Sequence, residues 1–146
     1  MSLHIGQREN EGITILDLKG PLTLGHADLI FRETLSALHQ SGRVNIVLNL
    51  KEVTEIDSTG LGTLVFGLAR LRKAGGRLAL ANVNRSHLKL FLLTRLAVAF
   101  EFFDDEQDAV NSFFPDRALK HFDVLDFVRD HDELNPKHVT HPEAAC

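Results

Sequence analysis

An α/β fold is what this sequence predicts, and three observations carry the prediction. Short β-branched and aliphatic runs alternate along the chain with stretches whose apolar residues recur at helical spacing. One run, Val44-Asn45-Ile46-Val47-Leu48-Asn49-Leu50, is almost continuously apolar, as a strand buried on both faces must be. The helical stretch after it closes with Arg72-Lys73 and then Gly75, a basic last turn followed by a glycine stop.

The expected order is strand, strand, helix, strand, helix, strand, helix, short strand, helix. Ile13-Thr14-Ile15-Leu16-Asp17-Leu18 alternates imperfectly as a strand, and Gly20-Pro21 breaks it. Residues 27–38 read as a helix with Ile30, Phe31, Leu35 and Leu38 turned inward. After the strand at 44–50, Leu61, Leu64, Val65, Leu68 and Leu71 form one apolar stripe on a helix that starts at or near Ser58. Residues 77–81 then make a strand, 86–96 a leucine-rich helix and 101–103 a short strand. A last helix over 105–114 opens with acids that suit its positive end.

At 146 residues and 44% hydrophobic content the chain has the size and composition of one domain with its own core. Its single cysteine, Cys146, has no internal partner, which fits a reducing compartment, and no apolar run is long enough for a membrane span, so a cytoplasmic protein is expected. A net charge of -4 without a basic cluster argues against a nucleic-acid surface. Residues 115–146 carry seven acids against four bases and three of the four prolines, which sets a boundary at Pro115. The expected organisation is a domain over 1–114 and an extension over 115–146. In that extension Phe122, Leu125 and Val128 have helical spacing, and a looser end follows from Pro136.

The run Asp57-Ser58-Thr59-Gly60-Leu61-Gly62 places a hydroxyl pair and two glycines where a strand meets a helix. Ser58 then lies at the positive end of that helix, where a bound or attached phosphate is stabilised by unpaired N–H groups. The plain alternative makes Ser58 the N-cap and the glycines packing residues. Two glycines in a first turn weaken it by about 1 kcal/mol each relative to alanine, so helix stability does not account for them. Their absent side chains suit close approach by another molecule. Helical geometry puts Thr59, Thr63, Phe66 and Arg70 opposite the leucine stripe, and an outward aromatic with an arginine beside Ser58 has the composition of a partner surface.

Other constellations are weaker. No Gly-x-Ser-x-Gly elbow surrounds Ser58, and the glycines lack the following lysine of a phosphate loop. Asp57 and Glu55 lack a complementary pocket for acid–base work, and His138, His141 and Cys146 stand in a proline-interrupted stretch that does not fix tetrahedral metal geometry. A binding module rather than an enzyme is expected, without metal or cofactor.

The stretch from Val53 to Gly62, the Gly75-Gly76-Arg77-Leu78 entry to the next strand and the helix from Leu88 to Leu96 together resemble the STAS domain, a family named for sulfate transporters and anti-sigma-factor antagonists. The resemblance spans roughly residues 3–114 and implies a mixed β-sheet of four to five strands with about four helices. In the bacterial antagonists of that family the serine after the aspartate is phosphorylated by a partner anti-sigma factor that is also a serine kinase, and a PP2C-type phosphatase reverses it. The match makes Ser58, not Thr59, the phosphoacceptor, and leaves ATP to the kinase. With the helix face it implies a partner surface of Asp57, Ser58, Thr59, Gly60, Gly62, Thr63, Phe66 and Arg70. A second reading is an unmodified STAS subunit of a lipid-transport complex, in which Ser58 contacts another subunit. The chain departs from the family where Thr94-Arg95-Leu96 replaces the frequent Thr-Gly-Leu, and in its extension after residue 114.

Overall fold

The β-rich runs assemble one five-stranded sheet. The structure is a computed structural model and describes residues 2–117. Strands β1 (His4–Asn10) and β2 (Ile13–Leu22) form an antiparallel hairpin. Its two turn residues, Glu11 and Gly12, both have left-handed φ, 54° and 84°, as the tightest hairpin turn requires. Strands β3 (Asn45–Ile56), β4 (Arg77–Ala81) and β5 (Glu101–Phe103) add in parallel, giving the order β1-β2-β3-β4-β5. Helices α1 (His26–Gln40), α2 (Ser58–Lys73) and α3 (Arg85–Leu93) are the crossovers between parallel strands, and α4 (Glu106–Asn111) follows β5.

Alternation along the strands sorts the core into two layers. Leu16, Leu18, Ile46, Leu48, Leu78 and Leu80 pack with Phe31, Leu35, Leu64, Leu71 and Phe91 of the three crossover helices. The intervening residues Ile15, Val47, Ala79, Ala81 and Phe103 pack with Ala109 and Val110 of α4. Burying each large aliphatic or aromatic side chain contributes about 1.5–3 kcal/mol, so most of the stability lies in the layer holding the long helices. On the α4 side Arg8 joins Asp17 (2.6 Å) and Glu106 (2.9 Å), tying β1, β2 and α4 together.

Several boundaries differ from the expected ones. Strand β2 runs through Gly20-Pro21 to Leu22 instead of breaking there. Pairing with β1 has already ended at Lys19, so Pro21 has a free edge beside it, and Gly20 (φ 103°) presses on the Ser2 backbone, where a Cβ would lie 2.7 Å from the carbonyl oxygen. Ile30 and Val65 are half-buried rather than central to the core. Helix α3 stops at Leu93, short of Leu96, because Arg95 turns left-handed (φ 64°) and the Leu96 N–H bonds the Phe91 carbonyl at 2.9 Å. Arg95 is thus a side-chain-bearing residue at a backbone position that favours glycine. Helix α4 is capped by Asp105 and ends at Asn111, with a turn in place of its expected last residues.

Structure continues past the expected boundary at Pro115. Arg117 pairs with Glu11 (2.6 Å), bonds Asn111 (2.8 Å) and lies 4.1 Å over the Phe114 ring. The expected tail helix with Phe122, Leu125 and Val128, and the group His138, His141 and Cys146, lie outside the described residues. Among the described residues no helix is long and apolar enough to cross a membrane.

Candidate functional site

Strand β3 ends at Ile56, and a single residue, Asp57, separates it from α2. Asp57 is extended (φ -107°, ψ -175°), and its Oδ1 accepts the Gly60 N–H at 2.8 Å, so Asp57 is the N-cap and Ser58 the first helical residue. The other oxygen, Oδ2, accepts the Leu24 N–H at 3.0 Å and fastens the β2–α1 loop beside the helix start. Burial pushes the Asp57 carboxyl up, but backbone N–H donors, Gly60 and Leu24 foremost, outweigh it and hold the group below its usual range. The capping role considered for Ser58 belongs to Asp57.

The two glycines have opposite surroundings. A Cβ on Gly60 would lie 1.9 Å from the Leu22 carbonyl oxygen, so Gly60 is buried by the chain's own β2 end. A Cβ on Gly62 would meet nothing within 4 Å, and Gly62 is exposed. The opening to another molecule expected at both positions therefore exists only at Gly62.

The face of α2 expected to point outward is in large part the seam with α1. Thr63 is 2% exposed, and its Oγ1 donates to Asp28 Oδ1 at 2.8 Å, with the Thr59 carbonyl at 3.0 Å. Asp28 pairs in turn with Arg32 (2.9 Å), whose guanidinium lies 3.8 Å from the centre of the Phe66 ring, with Arg70 at 5.9 Å on the same ring. Arg32, then Thr63, hold the Asp28 carboxyl low. Phe66 and Arg70 are half-buried, and Arg70 Nε is buried with no hydrogen-bond partner among the described residues. Helical periodicity marks the face turned from the sheet but is blind to a neighbouring helix, which is why Thr63 and Phe66 read as outward.

What remains accessible at the helix head is Ser58, which is exposed and whose Oγ makes no hydrogen bond among the described residues, with Gly62 exposed, Thr59 half-buried and Leu24, 77% exposed, alongside. Sequence reasoning passed over Leu24, Asp28 and Arg32. The last two carried a visible signal, an acid and a base four residues apart on an expected helix.

The family model for the STAS domain matches residues 4–109. The chain belongs to the STAS domain family. It is 31% identical over 96 residues to the anti-sigma-B factor antagonist of Bacillus subtilis (strain 168), covering 66% of this chain and 86% of the relative. It is 27% identical over 110 residues to the anti-sigma F factor antagonist of Paenibacillus polymyxa, covering 75% and 94%. The fold superimposes on the Bacillus cell fate determinant SpoIIAA in its phosphorylated form with a TM-score of 0.58 at 21% identity, covering 77% of this chain and 99% of that one.

In this STAS domain the head of α2 combines an exposed nucleophile-bearing residue with a helix start whose cap is supplied by its neighbour. The helix is 16 residues long and has no acid in its first turn. Its positive end therefore faces the Ser58 surface with the capping carboxylate of Asp57 in opposition. Chemistry done to the Ser58 oxygen alters the surface there without removing a hydrogen bond that holds the helix.

Proposed function

We propose that this protein is an anti-sigma-factor-antagonist-like binding module, not an enzyme, which holds an anti-sigma factor with serine-kinase activity while Ser58 is free and releases it once Ser58 is phosphorylated. The observation that carries this reading is the division of labour at the helix head: Asp57 caps α2, and the exposed Ser58 hydroxyl has no hydrogen bond among the described residues. The names of the two relatives and the phosphorylated state of the SpoIIAA neighbour support it. The contact surface is Ser58, Thr59 and Gly62, extended by Leu24, with Asp57 and Gly60 as its internal support. Thr63, Phe66 and Arg70 act from the α1 seam behind it. ATP belongs to the kinase, and a PP2C-type phosphatase restores the free serine.

A phosphate carries about -1.5 to -2 charges at pH 7. The helix macrodipole favours such a charge by about 0.3–1 kcal/mol, which repulsion from Asp57 offsets, so the domain stays folded. A partner surface fitted to a small hydroxyl beside Gly62 must instead desolvate a dianion, at a cost of several kcal/mol. The test is a capture from the native cells with phosphosite mapping, followed by reconstitution with the captured kinase. Ser58→Ala is expected to bind without release, Ser58→Asp to bind weakly, and Thr59→Ala to accept phosphate normally. Labelling of Ser58→Ala, or tight binding by Ser58→Asp, removes this reading, and capture of transporter subunits alone replaces it with the subunit role.

A further inference from the structure

Between Asp57 and Glu101 the chain carries seven Lys and Arg and no acid, and the fold gathers part of that charge at the end of the domain farthest along α2 from Ser58. Arg72 and Lys73 end α2, Arg95 follows α3, and all three are exposed. Two large apolar residues stand among them, Leu93 at 70% exposure and Val98 at 95%. Arg72 reaches the Ala99 carbonyl at 3.2 Å, which brings the α2 end against the short helical turn bearing Val98. The described chain ends at the same end of the parallel strands, across the sheet from the patch. Arg77, at the start of β4, pairs with Glu101 just after that turn and also donates to the Ser112 carbonyl at 2.9 Å, and Arg117 is held to Glu11 in the β1–β2 turn.

We propose that residues 118–146 of the same chain dock on this basic, apolar patch. The segment leaves from the same end of the sheet, beside the β1–β2 turn, with 29 residues in hand, and a reach of roughly 3.3 Å per extended residue is ample to cross one end of a small domain to the patch. It carries six acids against three bases, opposite in sign to the patch, and Phe122, Leu125 and Val128 supply an apolar stripe for Leu93 and Val98. Docking here leaves the Ser58 surface, at the other end of α2, open.

The full-length chain labelled with 15N tests this by backbone heteronuclear relaxation. Amides of residues 120–130 are expected to be as rigid as those of the sheet at a protein concentration of tens of micromolar. The exposed-site double variant Leu93→Asp, Val98→Asp, checked for an unchanged melting temperature, is expected to set them free. A second full-length variant, Arg72→Glu with Arg95→Glu, is expected to weaken docking, and its ordering returns when Asp123→Lys and Asp126→Lys are added. The proposal is overturned if the 120–130 amides are mobile in the unaltered protein, if they stay rigid in the Leu93→Asp, Val98→Asp variant, or if their ordering grows with protein concentration, which marks a second copy as the occupant.

Discussion

Gly60 and Gly62 stand two positions apart on α2, yet substitutions at them are expected to act in opposite directions. Gly60→Ala drives a Cβ into the Leu22 backbone, and backbone cannot swing aside as a flexible side chain would. A loss of about 1–3 kcal/mol is expected, of the size seen when a packed core is overfilled. Gly62→Ala adds a methyl to open space within a helix and is expected to raise stability by up to about 1 kcal/mol. Chemical denaturation of the two variants measures both shifts. If Gly62 is where a partner's backbone approaches, the more stable Gly62→Ala protein binds that partner less well, separating affinity from stability at one atom. Arg95 is the residue-scale counterpart, since it holds the left-handed conformation with its side chain in place (φ 64°).

At the scale of elements, α3 meets β3 through His87. Burial pushes the His87 imidazole below its ordinary 6.5, against the smaller upward pull of a hydrogen bond to the Thr54 backbone, and its Nδ1 is buried without a partner among the described residues. A histidine with a depressed folded pKa binds fewer protons folded than unfolded, so its contribution is present above pH 6.5 and is lost as pH falls beneath it. Stability is expected to decline on acidification from pH 7 to pH 5, with His87→Gln flattening that part of the profile. Carboxylates give a second loss at lower pH. The Arg8 guanidinium holds Asp17 and Glu106 below their usual range, and protonating them releases the contacts between β1, β2 and α4. Urea unfolding at half-unit steps of pH distinguishes the two windows, and an unchanged slope in His87→Gln above pH 5 refutes the assignment.

Over the whole molecule, the two core layers close within the described residues, and the last contacts seen are those of Arg117 with Glu11, Asn111 and Phe114. A chain ending at Arg117 is therefore expected to unfold in one cooperative transition, whereas a chain ending at Phe114 forgoes the Arg117 contacts and melts lower. Calorimetry of the two truncations checks this, and a broad, uncooperative melt of the chain ending at Arg117 shows that residues 118–146 belong to the folding unit.

The order of strands and helices was legible in the sequence because periodicity records which side of each element meets the sheet. Leu61, Leu64, Leu68 and Leu71 are buried as their spacing requires, and the Asp57-Ser58-Thr59-Gly60-Leu61-Gly62 run marks the strand–helix junction where the candidate site lies. Lateral neighbours were not legible, because periodicity along one helix carries no information about a second helix packed beside it. Only the tertiary structure put α1 against α2, burying Thr63 on Asp28 and laying Arg32 over Phe66. It likewise pressed Gly60 against the Leu22 backbone and tied the second Asp57 oxygen to the Leu24 N–H, contacts with residues more than thirty positions away in the chain. Local chemistry determined where a site could be, and long-range packing decided which of its atoms another molecule can touch.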